Sequence, residues 1–391
     1  MEYKHFISKR AEALKPSSTI NLADTVRDMQ ARGLEVIRME TGEPDFATPK
    51  PIVQSAIKAL ESGMTKYTMS SGIPELKSAI IKKVWTKNSI PARAKNIIVT
   101  PGAKQGLFYA FAVILNEGDE VLIPNPSWGS FKSIVGLVGG SPVEYLCPSN
   151  KDFRIDFDDL EQKISHKTKA ILVNYPNNPT GQTLSLSELK RLSQIATKYN
   201  LLVISDESYE ELVYDNITHV SLASLPGMAE RTISVFSFSK SFAMTGWRLG
   251  YVVAPEELVA KMVILQQQTA TCPVSFVQRA GVTAFKCESD VARMVKEYQE
   301  RRDLMLEGLK QCGIPCVKPR GSFYLFPNIQ RFKLDSFQFA KFLLEKTLIS
   351  VVPGSTFGSE GEGHVRMHFA LSKEILRKVI GKLKIALKEL G

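Results

Sequence analysis

A chain of 391 residues can bury a large core and is expected, by length, to form about two to three domains. Hydrophobic residues make up 44% and charged residues 23%, values ordinary for a soluble globular protein. No run approaches the roughly 18 apolar residues needed to cross a membrane, and the start, MEYKHFISKRAEALK, lacks the apolar stretch of a secretory signal. A cytoplasmic protein without a membrane partner is therefore expected. The net charge of +10 raises nucleic acid as a partner, yet basic residues alternate with acids along most of the chain. The densest basic patch, 373–391, carries a helical apolar stripe of Ile375, Leu376, Val379, Ile380, Leu383 and Leu387. Its lysines read as a solvated helix face, and no nucleic-acid partner is expected.

In chain order, a helical pattern over 21–32 and a short strand, EVIRME, precede the turn-rich loop TGEPDFATPKP. Gly42 in that loop would permit close backbone approach to a ligand. Helices are expected over 51–62 and from Pro74 in TKYTMSSGIPELKSAI. From residue 96 short apolar runs alternate with helical stretches such as 103–115 and 185–198. The runs are NIIVT, EVLIPN, SPVEYLC, KAILVNY, LLVISD, RTISVFSFS and RLGYVVA. Apolar strands alternating with helices predict an α/β fold with a mostly parallel sheet covered on both faces. The short link between the last two runs predicts one antiparallel edge strand. After residue 255 come long helical segments, including the charge-rich 291–311. A smaller α+β pattern follows: GSFYLFPNI as strand, 336–345 as helix, ISVVPGSTFG, HVRMHFAL and the last helix. This part is read as a second, smaller domain that recruits the N-terminal segment. Five cysteines are scattered without an accompanying histidine cluster, and the residues between His364 and His368 read as strand. Reduced structural thiols and no metal site are expected.

The ligand site of an open parallel sheet lies beyond the carboxyl ends of its strands. The run SVFSFSKSFAMTGWRLGYVVA, 234–254, places Lys240 just past an apolar strand, with Ser237, Ser239 and Arg248 around it. A partly desolvated amine is a nucleophile, and hydroxyls with a guanidinium suit a phosphate. A phosphate beside a Schiff-base lysine suggests pyridoxal 5'-phosphate. Other strand ends deliver Trp128, Asn178, Asp206 with Tyr209, and the helix start Gly102, Ala103 and Lys104. Each has a use around that cofactor. Asp206 would keep the ring nitrogen protonated, Asn178 and Tyr209 would donate to the ring oxygen, and Trp128 would stack on the ring. Free N–H groups at the helix start favour a phosphate.

The motifs TGEPDF, TKYTMSSGIPELK, NNPTG, SDESYEELVY, SFSKSFAMTGWRLGY, VPGSTFG and HVRMHFALS, in this order, span nearly the whole chain. With them the sequence resembles a class I aminotransferase of fold type I, nearest to the bacterial and archaeal aspartate aminotransferase branch. The resemblance implies a large domain, 48–290, with a seven-stranded sheet, and a small domain formed by 1–47 and 291–391. It implies a homodimer with shared sites, in which Tyr67 reaches the phosphate of the neighbouring subunit. Arg366 would clamp the substrate α-carboxylate, Gly42 would line the substrate pocket, and Lys104 would face a distal carboxylate or the phosphate. The implied reaction is a ping-pong transfer of an amino group from an L-amino acid, aspartate first, to 2-oxoglutarate. An aromatic, alanine or kynurenine-type aminotransferase, or a lyase on the same fold, is the alternative.

Overall fold

A computed structural model describes residues 3–12 and 26–390. Of the expected first helix, 21–32, residues 21–25 lie outside the described residues, and 26–31 are helical. The strands are β1 (Ile37–Arg38), β2 (Ile97–Thr100), β3 (Glu120–Asn125), β4 (Ser141–Leu146), β5 (Thr168–Asn174) and β6 (Leu202–Asp206). They continue with β7 (Thr232–Ser237), β8 (Gly250–Val253), β9 (Tyr324–Leu325), β10 (Ile349–Ser350), β11 (Val352–Pro353) and β12 (Val365–His368). Seven of them form one sheet in the order β2-β8-β7-β6-β5-β3-β4. The pairs from β4 across to β7 are parallel, and β8 runs antiparallel to both its neighbours. The reversed strand is thus interior and not the expected edge, because β2 adds outside it. The edges are β2 and β4, and β4 carries a proline and an exposed start, as an edge strand can.

Alternation of side chains builds the two covered faces of this sheet. Ile98, Val121, Ile123, Leu172 and Val235 join one apolar cluster with Leu107 and Phe111 of the helix Ala103–Ile114. Ile97, Val99 and Phe236 point the other way, into a cluster with Leu76, Ile80 and Val84 of the helix Pro74–Asn88. Helix Leu186–Lys198 starts at a capping box made by Ser185 and Glu188 and buries Leu189, Leu192 and Ile195. Strand order reverses between β3 and β5, so the carboxyl ends of β3, β5, β6 and β7 open onto one crevice.

A separate apolar cluster joins the helices Glu288–Gln311, Ser336–Thr347 and Lys373–Ala386 to an antiparallel sheet ordered β11-β12-β9. The expected strand GSFYLFPNI shrinks here to Tyr324–Leu325, since Gly321 and Pro327 bracket it and the chain bends to bring Tyr324 inward. Strand β1 pairs in parallel with β10, and the His368 amide donates to the Met39 carbonyl at 3.1 Å. The segment leading to Gly42 is thereby fixed beside β12. Among the described residues no helix is long and apolar enough to cross a membrane.

Gly250 is the closest crossing in the large sheet. A Cβ there would lie 2.6 Å from the Ala103 amide nitrogen, 2.8 Å from the Gly102 carbonyl carbon and 2.9 Å from the Phe236 carbonyl oxygen. All three are backbone atoms that cannot swing away. Gly250→Ala is expected to cost about 2 kcal/mol of stability, measured by denaturant unfolding, and to displace the turn at Gly102 from the crevice.

Candidate active site

A cavity of about 690 Å³ opens at the crevice between the sheet and the β9–β12 region. Lys240, Asp206, Tyr209, Asn178, Ser237 and Ser239 line it, as do Gly42, Ala103, Lys104, Trp128, Arg248 and Arg366. Two expected residues do not. Gly102 lies behind the wall, and Tyr67 is 85% exposed away from the cavity of its own chain.

Lys240 sits on the one-turn helix Phe238–Ser241, which starts as β7 ends and is capped by the Ser237 hydroxyl accepting from the Ser239 amide at 3.1 Å. Its ammonium donates to the Gly42 carbonyl and lies 5.9 Å from the Tyr209 ring centre and 5.8 Å from that of Phe323. Burial is the largest influence on this amine, and Arg366 and Arg248 add to it against Glu43 and Asp206. Its pKa is lowered to about 8. The position of this amine agrees with the expectation from the sequence, and its surroundings make it a nucleophile near neutral pH.

Asp206, the last residue of β6, accepts from the Ser208 amide at 3.1 Å and the Ser208 hydroxyl at 2.5 Å. Burial pushes its carboxyl up to about 6 despite those two bonds. A positive charge placed beside it would bring this value down again. Tyr209 shares a hydroxyl contact of 2.8 Å with Tyr324. Arg366, 2% exposed, donates to the Asn178 side-chain oxygen at 2.9 Å and to the Glu40 carbonyl at 2.6 Å, while its Nε has no partner. It lies over the Tyr324 ring, 4.4 Å from the centroid. Asn178 is held in turn by its amide on the Asn174 side chain, 3.1 Å.

Arg248 and Gly102 meet at the other end. Gly102 has φ 83° and opens the helix Ala103–Ile114, and a Cβ on it would be 2.5 Å from an Arg248 Nη. The guanidinium packs where only glycine leaves room, beside free N–H groups of a helix start. Lys104 stands next in the chain, its ammonium 4.6 Å from the Trp128 ring centre. Desolvation, and then the charge of Arg248, hold it below the usual lysine range.

Several cavity residues escaped the sequence reading. Tyr324, Ser208 and Thr41 sit in segments assigned to strand or loop, and nothing in their spacing marks them. Thr41 Oγ1 is 3.1 Å from His368 Nε2, whose Nδ1 accepts from the Ala370 amide at 3.1 Å. Nε2 therefore carries the proton and donates to Thr41. Glu40 and Arg38, in the run read only as a strand, also reach the cavity.

Behind Asp206 lies a buried polar network. Lys83 donates to Glu210 and, at 2.8 Å, to Asn88, and Asn88 donates to Glu210 at 2.6 Å and to Ser221 at 2.9 Å. Ser221 and His219 both hold one oxygen of Glu207, the histidine at 2.8 Å. Glu207, Glu210 and His219 are the one cluster among the described residues with ligand atoms close enough for a metal, within 4.8 Å. The Lys83 ammonium already supplies the compensating charge there. Lys83→Met strands Glu210 and is expected to lower stability by about 3 kcal/mol, read from chemical denaturation at neutral pH.

The geometry has parallels in known proteins. Residues 35–383 match the family profile described as aminotransferase class I and II. The chain is 42% identical to an aspartate aminotransferase of Pyrococcus abyssi, covering 98% of both chains. It is also 42% identical to aromatic-amino-acid aminotransferase 2 of Thermococcus litoralis, again over 98% of each. The solved aspartate aminotransferase of Thermus thermophilus with maleate superposes with a TM-score of 0.94 at 36% identity, covering 97% of this chain and 99% of that one. With a profile match over most of its length and relatives of this identity end to end, the chain belongs to the class I and II aminotransferases.

Proposed function

We propose that this aminotransferase moves the amino group of an L-amino acid with a side-chain carboxylate, aspartate first, to 2-oxoglutarate in a ping-pong cycle. The carrying observation is the Lys240 amine, depressed to about 8, in one cavity with the carboxyl of Asp206 and the guanidinium of Arg366. The named relatives from Pyrococcus and Thermus support aspartate. Aromatic amino acids are the competing substrates, because the Thermococcus relative is equally similar.

The donor set fits pyridoxal 5'-phosphate: a nucleophilic amine, a buried carboxyl, hydroxyl and amide donors, and a cation at a helix start. When bound, that cofactor supplies the electron sink that lets an amino acid lose its α-proton. Asp206 would hold the ring nitrogen, Tyr209 and Asn178 the ring oxygen, and Trp128 a ring face. Ser237, Ser239, Arg248 and the start of the helix at Ala103, with Gly102 leaving room, would hold the phosphate. Lys240 would bind the cofactor and then, as a neutral amine, would shuttle the proton between the substrate Cα and the cofactor carbon that takes up the amino group. The buried Arg366, fixed by Asn178 and the Glu40 carbonyl and with Nε unpaired, binds the α-carboxylate. Gly42 lines the same pocket, and Lys104 places a positive charge toward a distal carboxylate.

Two further features complete this reading. The separate apolar clusters support a large domain over 48–290 and a small one from 1–47 with 291–391. The exposure of Tyr67, 85%, supports its serving the site of a second copy in a homodimer.

Three outcomes are expected. Capture of the cofactor aldehyde by apo protein, followed by absorbance, rises with pH and has its midpoint near 8. A midpoint near the ordinary lysine value, about 10.4, would contradict the desolvated amine. Lys240→Ala abolishes both capture and turnover; a yellow, active variant would sink the assignment. Lys104→Ala raises KM for aspartate about fivefold and leaves that for phenylalanine within twofold, about the error of such assays.

A further inference from the structure

The side chains of two cavity residues, Arg38 and Glu40, have no part in the roles given above. The Glu40 side chain is fully buried, and its Oε1 accepts from Arg38 Nε at 2.8 Å, while its Oε2 has no partner. The backbone oxygen of the same Glu40 accepts from Arg366 Nη2 at 2.6 Å. One residue therefore holds two guanidinium groups, one through its side chain and one through its carbonyl. A buried carboxylate is costly unless paired, so this one fixes the plane of Arg38 more firmly than a surface partner would.

Arg38 is 29% exposed along its side chain and lines the cavity together with Arg366, Lys104 and Trp128. With Nε taken by Glu40, its two Nη groups have no partner among the described residues. A guanidinium held at Nε and open at its Nη atoms is the shape that meets a carboxylate in two parallel bonds. Lys104 is a different kind of cation, a point charge drawn over the Trp128 ring, with its pKa lowered by desolvation and then by Arg248. Of the two, Arg38 is the one whose spacing from Arg366 is fixed by a shared residue.

We propose that Arg38, oriented by Glu40, is a specificity-determining residue that receives the distal carboxylate of a dicarboxylic amino acid or oxo acid whose α-carboxylate lies on Arg366. This rests on the transaminase reading above and deepens it. The shared Glu40 makes the pair a two-point receptor for substrates with carboxylates at both ends, and discriminates against those with an apolar end.

The test measures kcat/KM of the holoenzyme for aspartate, glutamate and phenylalanine in the wild type, Arg38→Gln, Arg38→Lys, Glu40→Gln and Lys104→Gln. Arg38→Gln is expected to lower the aspartate-to-phenylalanine ratio at least about tenfold, chiefly through KM. Arg38→Lys restores part of that ratio, and Glu40→Gln lowers it in the same direction by less. Inhibition by maleate, a dicarboxylate that needs no turnover, weakens in Arg38→Gln in parallel. Equal losses for aspartate and phenylalanine would reduce Arg38 to a structural part and overturn the proposal. A ratio moved only by Lys104→Gln would overturn it as well, leaving the aspartate reading intact. A wild type that uses phenylalanine and not aspartate would defeat the aspartate reading itself, before any variant is compared.

Discussion

The contact between the Lys240 ammonium and the Gly42 carbonyl is the constraint on which the rest of the site depends. It joins the end of a sheet strand to a segment that belongs, by its pairing with β10 and its bond to β12, to the other side of the crevice. A lysine amine closed in by aromatic rings and two guanidiniums loses solvation, and one carbonyl gives back only part of it. The fold accepts this because the charged groups around it are held in place. Asp206 ends a central strand, Arg366 lies inside β12, and Arg248 is pinned by the turn at Gly102.

Charge is arranged in two layers around that amine. The inner layer, Asp206, Lys240 and Arg366, faces the cavity, and burial and neighbouring groups set the protonation of Asp206 and Lys240. The outer layer, from Lys83 to His219, compensates itself. Burial pushes Glu207 up, but His219, Ser221 and Lys83 outweigh it and keep the carboxyl charged. Burial raises Asp206, Ser208 opposes that rise, and the charge of Glu207 adds to it. Asp206 is thus poised between the two layers, a buried acid whose charge depends on what stands in the cavity.

Much of the site was legible in the sequence because its residues sit where strands end, and strand ends are marked by a change from apolar to polar residues. Lys240, Asp206, Tyr209, Asn178 and Trp128 were visible for that reason, Arg248 for standing eight residues after Lys240, and the structure brings them into one cavity. The direction of β8 was legible too, though not its interior place, since no local signal tells which strand adds outside it. Arg38 and Glu40 were hidden for another reason. Their importance comes from Arg366, 326 positions away along the chain for Glu40, and no period or motif carries that distance.

That distance has a consequence for how the protein comes into being on the ribosome. Gly42 and Glu40 leave the tunnel before the sheet, and Arg366 emerges only after it, 326 positions behind Glu40. Until β12 pairs with β9 and β11, the carbonyl of Glu40 and the side chain of Asn178 have no guanidinium to accept from. The nascent chain can assemble its sheet and the Lys240 turn while the substrate-facing wall is still missing. Closing so distant a contact is slow compared with the local helices. Substrate recognition therefore comes together only after the sheet that carries the Lys240 turn.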